Sequence, residues 1–249
     1  MLGRSLPGWL ALAATLAALS AVGAAAAPQW VGRFTGTGAP PAPWRVVRLS
    51  NKVAPTVYRQ AMVSGTPAIE ARARNSMALL ARPLQVDLRA TPMLCWRWLI
   101  DAPVANADMR KKAGDDFAAR VYVAFDIPNA ELSGATKLKL ALARRIFGKD
   151  VPDAALNYVW DNRNPVGTRR RSAYTDRAQL IVMDSGKAKA GRWVSQRADV
   201  AADFAAAFGG SAGRAIQLAI ASDTDNSGGT VRAAFSDIHF VPRSERCRS

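Results

Sequence analysis

The chain has 249 residues, 49% of them hydrophobic, and carries 34 Lys and Arg against 19 Asp and Glu, a formal net charge of +15. That balance favours polyanionic partners: nucleic acid, anionic lipid or acidic polysaccharide. A single histidine, His239, excludes histidine-dependent triads, HExxH sites and two-histidine metal centres built by this chain alone, and no Gly-rich loop has dinucleotide or P-loop spacing.

The N-terminus reads as an export signal. Arg4 supplies the positive start, residues 10–22 form an uncharged apolar run, and Ala24, Ala25 and Ala26 are the small residues a signal peptidase needs. Residues 1–26 are therefore expected to be a signal peptide and 27–249 a single domain. The apolar run is too short to span a bilayer comfortably, and nothing later is apolar enough. The expected product has no integral membrane segment and resides in the periplasm or outside the cell, which removes nucleic acid as a partner. An oxidising compartment permits a disulfide between Cys95 and Cys247. One lies in an apolar strand and the other in a charged tail, so the sequence leaves their pairing open.

Short runs rich in Val, Ile, Tyr, Phe and Trp, bounded by Gly, Pro, Asn and Asp, predict strands over 44–49, 57–63, 68–73, 78–86, 93–100, 117–125, 157–161, 178–183, 193–197, 216–222 and 231–241. Two segments read as helices: 136–147, with Leu138, Leu142 and Ile146 on one face, and a short helix capped by Asp199 and ended by Gly209 and Gly210. The dense run Arg169–Arg171 falls in a stretch that reads as a solvated loop. Many strands and few helices predict an all-β antiparallel sandwich or jelly roll with one or two short helical insertions.

Period-two alternation assigns faces. Phe117, Ala119, Val121, Val123 and Phe125 form a core face, which turns Arg120 and Tyr122 outward. In the last strand Phe235, Asp237 and His239 share one face, and Ile238 and Phe240 share the other. Trp96 and Trp98 share a face with core character, whereas Tyr158 and Trp160 divide evenly between core and a ligand surface. Sugar rings present C–H faces that stack on aromatic side chains, while Arg and Asp bond their hydroxyls. Arg97, Asp116, Arg120, Tyr122, Tyr158 and Trp160 are accordingly the candidate ligand-binding residues.

Asp223, Asp225 and Ser227 alternate ahead of Gly228 like the first half of a calcium loop, and are the candidate Ca2+ ligands. Position twelve of such a loop would be Ala234, where a bidentate Glu belongs, so a polar hairpin turn explains the same residues better. Adjacent Asp115 and Asp116 are expected on opposite faces of one strand, and nothing in the sequence brings Asp116 to Asp223.

Taken in order, LCWRWLI at Leu94, GDDFAARVYVAF at Gly114, LNYVW at Leu156, GRW at Gly191, AFGG at Ala207 and IASDTDNSGGTVRAAFSDIHF ending at Phe240 resemble the domain of unknown function 3047 family of exported bacterial proteins. Residues 136–147 read as an insertion relative to it. The order of features is also similar, at the level of fold, to jelly-roll carbohydrate-binding modules. Together these give three readings: a non-catalytic glycan-binding module, favouring an acidic polysaccharide because of the net charge; a polysaccharide lyase using Arg120 and a Tyr122 base of lowered pKa; and a structural or interaction domain of the cell envelope. The first is preferred.

Overall fold

The computed structural model describes residues 27–147, 151–210 and 213–248; the expected signal peptide lies outside them. Thirteen strands are described: β1 Gln29–Gly32, β2 Arg45–Val47, β3 Val57–Val63, β4 Thr66–Arg74, β5 Leu79–Pro83, β6 Met93–Ile100, β7 Arg120–Asp126, β8 Ala154–Asp161, β9 Arg169–Arg171, β10 Ala178–Ser185, β11 Val194–Asp199, β12 Arg214–Ala221 and β13 Thr230–Val241. Helix α1, Gly134–Phe147, lies between β7 and β8, and α2, Val200–Phe208, follows β11. One sheet has the order β11-β6-β13-β4-β3, with β1 also on β13; the other runs β2-β5-β12-β7-β8-β10-β9. The fold is an all-β sandwich. Every pair in it is antiparallel except β8 with β10, which run parallel.

The apolar faces of the two sheets meet in one core that includes Ile69, Trp96, Trp98 and Phe235 from the first sheet and Leu80, Val121, Tyr158 and Trp160 from the second. Its centre is aromatic. Trp96 lies 5.4 Å from Tyr158 and 5.4 Å from Trp98, and Trp98 lies 5.7 Å from Trp160, between ring centroids. Two of these rings bond through their polar tips: Tyr158 donates to Asp203 of α2 at 2.9 Å, and Trp160 Nε1 donates to the Gly186 carbonyl at 2.9 Å.

Several expectations are corrected. Leu138 is exposed and Leu140 enters the core, so the apolar face of α1 is not the expected one; the side chains of Leu142 and Ile146 lie outside the described residues. The arginine run is not loop but the edge strand β9. Its three side chains are all exposed, and this is why it shows no apolar alternation. In β13 both Phe235 and Ile238 are in the core. A bulge between Ser236 and His239, with Asp237 at φ +53°, inserts one residue and reverses the alternation. His239 therefore faces away from the core, stacked 4.5 Å from Trp30. Asp199 caps α2 as expected, accepting from the Ala202 N–H at 2.9 Å. No described helix is long and apolar enough to cross a membrane.

The cysteines do pair. The Cys95–Cys247 bond joins β6 to the C-terminal tail across 152 positions, and the Arg248 N–H donates to His239 Nε2 beside it at 3.0 Å. A cross-link closing so long a loop restricts the unfolded chain strongly, and its removal costs about 2–5 kcal/mol. Cys247→Ser is expected to lower the urea midpoint accordingly; an unchanged midpoint would show that the tail adds no stability.

Candidate functional site

Six of the residues singled out from the sequence converge at one end of the seven-stranded sheet. Arg120, first residue of β7, is 3% exposed and clasps Asp223 with both Nε, at 2.7 Å, and Nη2. The same guanidinium donates to the Asp115 carbonyl, lies 3.6 Å from the Asp115 carboxylate and sits 4.4 Å from the Phe117 ring centroid. Asp116 accepts from the backbone N–H groups of Asn226 and Ser227 and from the Ser227 hydroxyl, which fastens the turn between β12 and β13. Asp115 and Asp116 serve one cluster because residues 115–119 precede β7 and escape the alternation of a strand. Gly114 allows that path: a Cβ there would come 2.7 Å from the Asp108 backbone nitrogen.

Carboxylate oxygens of Asp116, Asp223 and Asp225 all lie within 4.8 Å of one another. Arg120 pairs with two carboxylates, Asp223 and Asp115, while Asp116 and Asp225 lie beside Asp223. Burial pushes the Asp223 carboxyl up to about 8, against the pull of Arg120 and with Asp116 and Asp115 adding to the rise. Burial raises Asp115 and Asp225 as well, whereas for Asp116 the bonds from Ser227 and Asn226 outweigh burial and lower it. The three clustered carboxylates are spaced to hold a hard divalent cation such as Ca2+. The set differs from the expected one: Asp116 takes the place of Ser227, whose hydroxyl donates to Asp116. Two of the three carboxylates are sealed in, Asp116 fully buried and Asp223 1% exposed, while Asp225 is half-buried.

The expected ligand face does not exist as one surface. Across β7 and β8, Tyr122 is opposite Asn157 and Val121 is opposite Tyr158. Residues opposite each other in an antiparallel pair point to the same face. Tyr122 and Arg120 therefore face outward, while Tyr158 and Trp160, at 0% and 1% exposure, are inside the sandwich. Burial also holds the Tyr122 phenol above its usual range, despite Arg120. A lyase base would need the opposite shift. Arg97 belongs to the other sheet altogether.

That other sheet offers an open, functionalised outer face. Trp193, just before β11, packs half-buried against the cluster of Val63, Ala68, Leu99 and Ala234 and is anchored by Nε1–H to the Val63 carbonyl at 3.0 Å. Arg97 sits 5.2 Å from the Trp193 ring centroid and 3.2 Å from the carboxylate of Asp237, the residue at the bulge. One register step away, Glu70 is opposite Ala234 and receives Nε–H from Arg59 at 2.6 Å, Arg72 at 2.9 Å and Arg232 at 2.6 Å. Burial works to raise the Glu70 carboxyl, and the hydrogen bonds from Arg72, Arg232 and Arg59 outweigh it, leaving it at about 2. Sequence reasoning missed Trp193 and Glu70 as site residues. The available signal was the same-face pair Glu70 and Arg72 in β4, along with the GRW motif.

The family model described as "Protein of unknown function (DUF3047)" matches residues 42–239. The chain belongs to this family. No curated relative matches it. Among solved structures, it is similar to the family 30 carbohydrate-binding module of the cellulosomal cellulase Cel9D-Cel44B of Clostridium thermocellum, at 11% identity and TM-score 0.38, covering 88% of this chain and 95% of that one. It is also similar to the xyloglucanase domain of NopAA, a type three effector from Sinorhizobium fredii solved with cellobiose, at 8% identity and TM-score 0.34, covering 81% and 99%. At such identities, what those proteins bind or cleave belongs to them.

The depressed Glu70 carboxyl gives a pH test. Its ordinary value is 4.5, so the stability it contributes is complete above about pH 4.5 and is lost as pH falls through about 2. Urea midpoints of wild type and Glu70→Gln should differ most at pH 5 and converge towards pH 2. A gap that stays constant would show that Glu70 is not held ionised by the arginines.

Proposed function

We propose that this DUF3047 member is an exported, non-catalytic glycan-binding module that takes its ligand on the outer face of the six-stranded sheet, around Trp193 and Arg97. The observation that carries this reading is a half-buried indole fixed on the outer face of a sheet, with a partly accessible guanidinium and carboxylate beside it. A fixed ring loses little freedom on stacking against a sugar, and Arg97 with Asp237 supplies a donor and an acceptor for hydroxyls. The pairing of Cys95 with Cys247 supports export, since such bonds persist in oxidising compartments. Arg4, the apolar run 10–22 and the small residues before Ala27 support the same route.

Affinity electrophoresis of the purified protein through gels of neutral and acidic polysaccharides tests the reading. Wild type should be retarded by at least one polymer without clearing it. Trp193→Ala should lose most of that retardation while still melting cooperatively well above the gel temperature, though lower than wild type because the ring covers an apolar cluster, and Tyr122→Phe should keep it. Clearing of the polymer would make the protein an enzyme, and no retardation in any gel would leave a structural role in the envelope.

A further inference from the structure

We infer that Arg59, Arg72 and Arg232, gathered around the buried Glu70, form a preorganised anion-binding platform for the carboxylate groups of an acidic polysaccharide, a polyuronate. The inference rests on the glycan-binding reading and names the ligand class of that same face.

The arrangement exceeds what stability requires. One guanidinium suffices to neutralise a buried carboxylate, and Glu70 has three, at a side-chain exposure of 2%. The arginines themselves stay open, with side chains 53% exposed for Arg59, 56% for Arg72 and 30% for Arg232. Each guanidinium carries five N–H donors. Among the described residues, Arg59 reaches Glu70 through Nε alone, and Arg72 through Nε and Nη2. Arg232 adds one bond to Asp101 at 3.1 Å. Glu70 thus fixes the inner edge of each fork and leaves outer donors facing solvent. Three cations against Glu70 and Asp101 keep a net positive charge on the patch. A planar carboxylate matches a guanidinium fork and forms the stronger, charge-assisted class of hydrogen bond.

Position decides between a free anion and a polymer. Glu70 is opposite Ala234, Ala234 is opposite Leu99, and both Ala234 and Leu99 pack with Trp193. The indole also bonds the Val63 carbonyl of β3 and packs on the cluster that holds Ala68, and Ala68 shares a face of β4 with Glu70 two residues on, so the platform and the indole are separated by roughly 7 Å along the strand. A chain of acidic sugars running along β4 reaches both, with a ring on Trp193 and a carboxylate on the arginines.

The chain's charge of +15 would attract any polyanion, and the test must separate a built site from that background. Retardation is measured in gels of polygalacturonate, a sulfated glycan and a neutral glucan, alongside flotation with vesicles of anionic phospholipid. Arg59→Gln/Arg72→Gln should weaken polygalacturonate binding by about tenfold or more, the order of one lost charge-assisted contact. Arg45→Gln/Arg170→Gln removes the same charge from exposed edge-strand positions of the other sheet, and should change binding little. Glu70→Gln gives opposite signs under the two views. Freeing the arginines from their anchor weakens binding if the platform is real, whereas added positive charge strengthens it if attraction is merely general. Melting curves check that each variant folds; the exposed arginine pair keeps the test decisive should Glu70→Gln unfold. The inference is overturned if both double variants weaken binding equally, if the sulfated or neutral glycan binds as well as polygalacturonate, or if only vesicles bind. Loss of binding in Trp193→Ala but not in Arg59→Gln/Arg72→Gln overturns the platform and leaves the glycan-binding reading standing. Failure to bind any polysaccharide overturns both.

Discussion

The structure depends on a run of aromatic rings between two sheets. Tyr158, Trp96, Trp98 and Trp160 stack in sequence, two from β6 and two from β8, and each is buried to 1% exposure or less. Side chains of this size each remove about 150–250 Å² from water. They set which faces of β6 and β8 must meet, and so the facing of every strand paired to them. Their polar atoms carry the constraint outward: Asp203 receives the Tyr158 hydroxyl and also pairs with Arg169 of β9, tying α2 and an edge strand to the core.

Because the largest aromatics are committed to the core, the proposed ligand site falls to an outer face. The two faces use buried charge in opposite proportions. On the seven-stranded sheet one guanidinium, Arg120, pairs with Asp223 and Asp115 in a largely buried cluster that joins the 115–116 segment to the β12–β13 turn through Asp116. On the six-stranded sheet one carboxylate, Glu70, sits among three guanidiniums that remain open to solvent. The first arrangement holds protein to protein. The second leaves its cations exposed to solvent, where the proposed ligand would meet them.

Strand β13 links these regions. Its first half carries Arg232 beside the platform, and its bulge places Asp237 against Arg97. Beyond the bulge, His239 turns to the outer face, where Trp30, the Arg248 N–H and the neighbouring disulfide close over it. One inserted residue thus separates an open stretch of the face from a stretch sealed by the tail.

Eleven of the thirteen described strands, the sandwich and the core character of Trp96 and Trp98 were legible in the sequence, because period-two alternation is a local property of a pleated chain; β1 and the all-exposed β9 were not. The sequence also held Arg120, Asp116 and Asp223 as candidates, though without their contacts. Those contacts span 103 and 110 positions of sequence, and no local pattern encodes them. Tyr158 and Trp160 went to the core for a similar reason: alternation says that they share a face, and only pairing with Val121 says which face. The same holds for Glu70, an acidic residue in a strand like any other until β3 and β13 bring Arg59 and Arg232 to it. Residue periodicity fixed what could face together; the tertiary structure alone decided what each face meets, since that depends on strands distant in the chain.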